Sequence, residues 1–539
     1  MTEDATVFDV FARSVARYGA RSFIQVPAET AKIYDLEKAD YTYEEASLRI
    51  AALIASYDAA GVGVNVRIGL VLENRPEFFL HFLALNSLGA SILPLNIAMQ
   101  DNELRYQIEH SECALIVADS AYVVRLEEIV KTTPAQPSVV ASDKIAGATT
   151  ISSAKFAEKD ARAREAAILY TSGTTGQPKG CILSNDYFLA IGEFYTSLGG
   201  YISFDEGGER IITPLPVTHM NALAVSFMSA IKTGSCLIQL DRFHPKSWQR
   251  TVKESHATIM HYLGVMPAML LAAQESEEDN LKGQIKFAFG AGCDPKHHER
   301  FEKRFGVKLI EAWAMTETGA GAWITASHEP RHVGTRCFGK APKGLEVRLV
   351  DENGCDVPVG GAGELLVRQA GANPRAHFFS GYFKDETATE EVWKEGWFHT
   401  GDAVRQDEDG FFYFVDRLKN VIRRSGENIA AIDVESVLMR HPAVASCVVA
   451  PVPDEMRGDE VAALIVTTAS RDEKTARAIF DFALDNLIYF KAPGYIAFVD
   501  SIAVTASEKV KRREAKERAR VIVKSGEAFD FNPHKKAKR

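Results

Sequence analysis

The chain has 539 residues, 62 basic and 72 acidic side chains, and a net charge of −10, with 46% of residues hydrophobic. That length is too great for one small core, so two or more domains are expected, and the composition is that of an ordinary globular protein. The acidic balance argues against general nucleic-acid binding, and no apolar run approaches the length that spans a bilayer.

The N-terminal stretch 1–19 (MTEDATVFDVFARSVARYG) is acidic and amphipathic, without the basic start and apolar core of a signal peptide. From about residue 40 to 345, segments of helical period alternate with short apolar strands such as 66–74 (VRIGLVLEN), 112–120 (ECALIVADS) and 234–240 (GSCLIQL). That alternation predicts layered α/β subdomains. Within it, residues 170–179 (YTSGTTGQPK) form a polar loop between two strands, Ala167–Tyr170 and Cys181–Leu183, and Ser184-Asn185-Asp186 reads as a helix start. Residues 340–415 turn strand-rich (345–354, 361–369, 410–416), with Asn-Gly and Asp-Gly turns between, which predicts a smaller β-barrel-like unit. After Asp416 the pattern predicts a compact α+β module: a helix at 433–440, strands at 446–451 and 461–467, a helix at 473–487 and a strand at 496–500. A domain boundary is expected at 417–420. The basic end, His534 to Arg539, reads as a frayed, solvated tail. The seven cysteines (113, 181, 236, 293, 337, 355 and 447) show no C-x-x-C pair or His/Cys cluster, so neither a zinc site nor a disulfide framework is suggested. A reducing cytosol is the expected home.

The 170–179 loop carries the strongest chemical signal. Glycines at 173, 176 and 180 let backbone N–H groups approach a polyphosphate closely, because glycine has no Cβ in the way. Thr171, Ser172, Thr174 and Thr175 add hydroxyl donors, and Lys179 adds a mobile positive charge. It is not a Walker A loop, since no Ser or Thr follows a Gly-Lys pair. The plain alternative for any Ser/Thr/Gly cluster is a solvated linker.

The loop resembles the phosphate-binding signature of the adenylate-forming (AMP-binding) superfamily, which includes acyl-CoA synthetases, peptide-synthetase adenylation domains and luciferases. The resemblance continues in order through 211–221 (IITPLPVTHMN), 313–317 (WAMTE), 363–368 (GELLVR), 381–402 (GYFKDETATEEVWKEGWFHTGD), 415–428 (VDRLKNVIRRSGEN) and 505–513 (TASEKVKRR). It implies an α/β fold: a large N-terminal domain of layered α/β subdomains plus a β-barrel-like subdomain, residues 1–416, a hinge at 417–420 and a small mobile α+β C-terminal domain, 421–539. The subgroup it looks most like is the carnitine/crotonobetaine-type CoA ligases.

The resemblance also implies roles. Residues Thr171, Ser172, Gly173, Thr174, Thr175, Gly176 and Lys179 would clamp the β- and γ-phosphates of ATP. Glu317 would hold Mg²⁺, a hard cation suited to carboxylate oxygen, and Thr316 would bond the α-phosphate. Trp313 stands where the family usually has tyrosine and would stack on adenine, with the backbone of Gly290, Ala291 and Gly292 facing the base. Asp402 and Arg417 would take the ribose hydroxyls. Lys509 would place its cation between the attacking carboxylate and the α-phosphate; here Glu508 replaces the glycine usual before that lysine. Lys419 matches the hinge residue, Gly426 and Glu427 would face the thiol of CoA, and His219 would gate the tunnel, with Phe490 to Pro493 at its entrance. The acyl pocket would involve His219, Met220, Asn221, Gly264, Val265, Met266 and Ala314. Because no aspartate stands in 218–222 to pair an ammonium group, an amino-acid substrate is disfavoured.

The implied activity is an ATP-dependent acid–thiol ligase acting on a small carboxylic acid, ATP and CoA, with no nucleic-acid or membrane partner. A homodimer is among the assemblies the resemblance allows. A carrier-protein ligase, a luciferase-like oxygenase and a non-catalytic nucleotide- or acyl-binding relative share the scaffold.

Overall fold

The computed structural model describes residues 4–145, 160–171, 178–418, 421–424, 427–454, 457–487, 489–504 and 510–535. The chain divides into two compact units. The first comprises Met1–Val347, Val367–Phe398 and Asp409–Phe412; the second comprises Arg348–Leu366, His399–Glu408 and Tyr413–Arg539. The second unit therefore takes in strand segments that precede the boundary expected at 417.

Two sheets organise the first unit. The smaller runs Gly381–Tyr382, Lys179–Ser184, Glu165–Thr171, Ser91–Pro94, Arg67–Val71, Leu115–Ala118, Ser138–Ala141. From Glu165–Thr171 onward its strands are parallel, whereas Lys179–Ser184 folds back antiparallel on Glu165–Thr171. Parallel strands are covered on both faces and so are written as apolar runs instead of alternations. Ser91–Pro94 and Leu115–Ala118 are buried at every position. Helix Pro76–Ser87 follows the same logic: it is apolar around its whole circumference and buried from Phe78 to Asn86.

The larger sheet runs Ile324–Thr325, Leu309–Trp313, Phe287–Ala291, Ile259–Leu263, Arg210–Thr213, Cys236–Gln239, Ser22–Gln25, Asp40–Thr42. All pairs are parallel except those made by the two outermost strands. The helix start expected after Leu183 is present: helix Asn185–Ser197 is capped by Ser184, whose hydroxyl accepts from the Tyr187 N–H.

In the second unit a long antiparallel pair, Val444–Asp454 with Gly458–Thr467, carries Tyr495–Phe498 in parallel on its edge. Its residues alternate between two buried faces, as the pleat requires. Val449, Val461, Ala463 and Ile465 pack with Ile479 and Phe480 of helix Glu473–Asn486. Val448, Ala450, Ala462 and Leu464 pack with Ala515 and Ala519 of helix Arg512–Ser525. These elements follow the expected module with boundaries shifted by a few residues.

The tail departs from expectation at Lys535. Its ammonium lies 2.5 Å from Glu460, and the two side chains are 1% and 0% exposed. The other Glu460 oxygen takes the Arg424 Nε at 2.8 Å. Strand Phe529–Asp530 pairs with Tyr495–Phe498 and carries Lys535 into this cluster. A lysine with a buried carboxylate in reach is held in place, not frayed. Burial pushes its ammonium down to about 8 despite the pull of Glu460.

Candidate active site

Most of the candidate residues in the first unit lie just past the C-terminal ends of parallel strands. In the larger sheet, His219 follows Arg210–Thr213, Gly264 follows Ile259–Leu263, Gly292 follows Phe287–Ala291, and Thr316 and Glu317 follow Leu309–Trp313. In the smaller sheet the Ser/Thr/Gly loop follows Glu165–Thr171. The crevice outside the carboxyl ends is where open α/β sheets take ligands, because loops there can vary while the strands hold them.

The loop joins two antiparallel strands as its flanks predicted, with Thr171 opposite Lys179. Ser172, Gly173, Thr174, Thr175 and Gly176 lie outside the described residues. At the loop's described ends, Thr171 Oγ1 donates to Glu317 Oε1 at 3.3 Å, and Lys179 Nζ sits 5.0 Å from the centre of the Tyr382 ring. Tyr382 donates its own hydroxyl to Glu317 Oε1 at 3.0 Å. Thr171, Lys179 and Glu317 are thus brought together, with Tyr382 as the link.

Glu317 is 7% exposed. Its backbone carbonyl accepts from Phe379 N at 2.9 Å, which fixes the turn, and Tyr187 bonds the carbonyl of Thr316 at 2.9 Å. The turn is not a helix start. Its capping hydroxyl belongs to Thr318, which accepts from Met315 N at 2.9 Å. Burial, and then the Glu317 charge, push the Tyr382 hydroxyl well above the usual tyrosine range, so it stays a proton donor to that carboxylate. A single buried carboxylate with hydroxyls beside it suits a cation that arrives on a nucleotide, since Mg²⁺ is commonly held by one or two carboxylates together with phosphate oxygens.

A second group forms around Glu311, which sequence reasoning missed. Its carboxylate accepts from Gly292 N at 2.9 Å, Cys293 N at 3.2 Å and the Tyr262 hydroxyl. Burial pushes the carboxyl upward, with those donors pulling against it. The segment it pins is crowded. A Cβ on Gly264 would strike the Gly292 carbonyl, one on Gly290 would strike Tyr262, and Gly292 itself has φ +80°. Ala291 and Gly292 are exposed while Gly290 is buried. Trp313 is 6% exposed, with its ring 6.2 Å from Phe338. An acid within the apolar strand LIEAW was the signal available for Glu311.

His219 is exposed and is not a packed core histidine. The buried histidine near it is His261, also unassigned from sequence. Its Nδ1 lies 2.8 Å from Asn221 Oδ1 and 2.7 Å from Ser226 Oγ, and its Nε2 lies 2.9 Å from the Tyr195 hydroxyl. Burial pushes it down to about 3, so a neutral ring orients the Asn221 amide. Residues Asn221–Ser226 form a π-helical turn, a rare conformation frequent at functional sites. In helix Val265–Ala272, Val265 and Met269 are exposed and Met266 is buried.

In the second unit Asp402 is 1% exposed, and Arg417 Nε lies 2.7 Å from its Oδ1. The strand around it is set by Glu364 of the GELLVR segment. That carboxylate takes Gly401 N at 3.1 Å and His399 Nδ1 at 3.1 Å, and the Thr400 hydroxyl donates to the Leu365 carbonyl at 2.7 Å. Asp416 accepts from Arg417 N at 2.7 Å and Ile432 N at 3.2 Å. Lys419, Gly426 and Lys509 lie outside the described residues, as does the side chain of Glu427, whose backbone starts strand Glu427–Ala430. Of 490–493, Ala492 is core, and Lys491 Nζ lies 3.5 Å from Asp433.

Comparison with known proteins matches residues 14–383 to the family described as AMP-binding enzyme and 433–509 to its C-terminal domain. The first match alone covers more than half the chain. The chain belongs to the AMP-binding enzyme family. The resemblance read from its motifs is thereby borne out, and so is the α/β fold class. Among curated relatives, the crotonobetaine/carnitine–CoA ligase of Escherichia coli O1:K1 is 26% identical over 490 residues, 88% of this chain and 93% of that one. Among solved structures, the o-succinylbenzoate–CoA synthetase of Bacillus subtilis, bound to its acyl-adenylate, superposes with a TM-score of 0.79 at 23% identity, covering 96% of this chain and 99% of that one. The ATP-bound MatB of Rhodopseudomonas palustris gives 0.78 at 23%, with coverage of 96% and 99%. Among the described residues no helix is long and apolar enough to cross a membrane.

Proposed function

We propose that this AMP-binding enzyme is an ATP-dependent acid–thiol ligase. A carboxylate oxygen of a small organic acid bonds to the α-phosphorus of ATP, the bond to the bridging oxygen breaks, and pyrophosphate leaves. The thiol sulfur of CoA then bonds to the acyl carbon, the bond from that carbon to the AMP oxygen breaks, and AMP leaves as the thiol gives up its proton. The observation that carries this reading is Glu317: a carboxylate 7% exposed, bonded by the hydroxyls of Thr171 and Tyr382 at the end of the Ser/Thr/Gly loop. Both reactants are anions, so the work of the site is charge neutralisation and alignment.

In this reading Thr171 to Gly176 and Lys179 hold the β- and γ-phosphates, and Glu317 holds Mg²⁺, which supplies positive charge against the phosphate oxygens. Thr316 bonds the α-phosphate, Gly290 to Gly292 and Trp313 receive the adenine, and Asp402 and Arg417 take the ribose. Lys509 stabilises the charge that develops as the carboxylate attacks the α-phosphate. Gly426 and Glu427 serve the thiol step after a rotation about Lys419, and His219 gates the thiol's approach. The boundary at 417–420 falls between the two family matches, which end at 383 and resume at 433, and this supports a separate C-terminal domain. His219, Met220, Asn221, Gly264, Val265, Met266 and Ala314 suit a short to medium acyl group with one amide contact. The curated relatives named for crotonobetaine and carnitine support a polar, short substrate of that kind. The cytoplasm, where ATP and CoA are available, is the proposed location.

The test is ATP- and Mg²⁺-dependent pyrophosphate release over a panel of short carboxylic acids, with and without CoA, followed by mass spectrometry of the product. An acid that gives both pyrophosphate and its acyl-CoA is the expected result. Pyrophosphate without acyl-CoA would overturn CoA as the acceptor, and no release with any acid would overturn the ligase reading.

A further inference from the structure

Helix Asp101–Ser111 reaches both ends of the phosphate loop. On the incoming side, His110 Nδ1 lies 2.7 Å from the hydroxyl of Tyr170, the residue before Thr171. On the outgoing side, the Tyr106 hydroxyl donates to the carbonyl of Pro178, the residue before Lys179, at 3.1 Å. The two side chains are one helical turn apart and therefore share a face. Their rings stack at 5.3 Å with 24° between planes, and Tyr106 meets Tyr170 edge-on at 6.3 Å. The helix is itself anchored. Lys384 donates to the His110 carbonyl at 3.2 Å, and the Phe383 ring packs edge-on against His110 at 5.6 Å.

Thr171 and Lys179 are cross-strand partners, so the separation of the loop's ends is set by the sheet. Tyr170 and Pro178 immediately precede Thr171 and Lys179, and one helix bonds both. We propose that Tyr106 and His110 are positioning residues for the polyphosphate of ATP, acting through Tyr170 and Pro178 on Thr171 and Lys179. The inference rests on the ATP reading above. Burial, and then Lys384, lower the basicity of His110, and Glu112 and Asp385 pull the other way. The neutral ring this favours can accept the Tyr170 proton. A single neutral hydrogen bond adds little to the stability of a fold, so its loss is read in ligand binding and not in melting.

The test uses Tyr106→Phe and Tyr170→Phe, each of which removes one hydroxyl and keeps the ring. Equilibrium binding of MgATP and of AMP is measured by calorimetry, alongside thermal melting. Each variant is expected to bind MgATP at least about tenfold more weakly, while AMP affinity stays within about twofold and melting is little changed. Equal weakening for both nucleotides, or no weakening for either, would overturn the inference, because a general structural role does not distinguish ATP from AMP. A wild-type protein that binds neither nucleotide would overturn the ATP reading itself and the inference with it, whereas normal wild-type binding with unselective variants sinks the inference alone.

Discussion

Two buried glutamates, one in each unit, have different partners. Glu460 in the second unit is 0% exposed and sits between two cations, Arg424 at 2.8 Å and Lys535 at 2.5 Å. Glu317 in the first unit is 7% exposed and is bonded by hydroxyls, from Thr171 at 3.3 Å and Tyr382 at 3.0 Å, while Lys179 turns to Asp385 at 3.7 Å. A carboxylate saturated by the protein's own cations is a fixture of the fold. A carboxylate given hydroxyls keeps its charge available for a cation brought from outside. Surroundings, not residue type, decide which role a buried acid takes.

The largest effect is expected at Glu460. Glu460→Gln leaves two cations without their carboxylate, and breaking a buried pair in this way costs about 3–5 kcal/mol. Denaturant unfolding should show that loss. Lys535→Met should cost less, because Glu460 keeps Arg424. A Glu460→Gln variant as stable as wild type would make the two glutamates alike and undo the distinction.

The units should also respond to opposite ends of the pH scale. His261 and His81 in the first unit are buried and pushed down to about 3, below the ordinary 6.5. An unfolded chain binds their protons first as the pH falls. The stability they contribute is therefore present above about pH 6.5 and is lost progressively toward pH 3. Lys535 in the second unit is pushed down to about 8 from 10.5. The cost of burying its charge is present below pH 8 and is relieved as the pH rises to 10.5. Melting curves of His261→Asn and Lys535→Met against wild type should separate the two windows. His261→Asn should flatten the acid slope between pH 6.5 and 4.5, and Lys535→Met should remove part of the rise between 8 and 10.5. Slopes unchanged by either substitution would contradict these burial assignments.

What the sequence revealed follows the range of the interactions. Parallel strands such as Leu115–Ala118 and the capped helix start at Ser184 are local patterns, and they stand where the residues predicted them. The ends of the Ser/Thr/Gly loop were legible because Gly, Thr and Lys in one short stretch restrict what the loop can do. Glu311, His261 and Tyr382 were not, because each takes its meaning from partners many residues away: Gly292, Asn221 and Glu317. Lys535 was misread for the same reason, since nothing in a basic terminus announces Glu460 at a distance of 75 residues. Glu364 shows an intermediate case. The GELLVR motif marked its strand, but only the fold reveals that its carboxylate sets His399 and Gly401 beside Asp402.

The measurement that bears most directly on the central claim is pyrophosphate–ATP exchange, with a carboxylic acid that supports release, for wild type and Glu317→Gln together with their melting temperatures. An isosteric amide keeps the hydrogen bonds to Thr171 and Tyr382 but removes the charge. The expected result is a fall in exchange of at least about a hundredfold, some 2.7 kcal/mol of barrier, with melting within about 2 °C of wild type. Exchange at the wild-type rate would contradict a charge-dependent role for Glu317. So would a loss of exchange matched by a collapse in stability like that expected of Glu460→Gln, for Glu317 would then be a fixture of the fold as well.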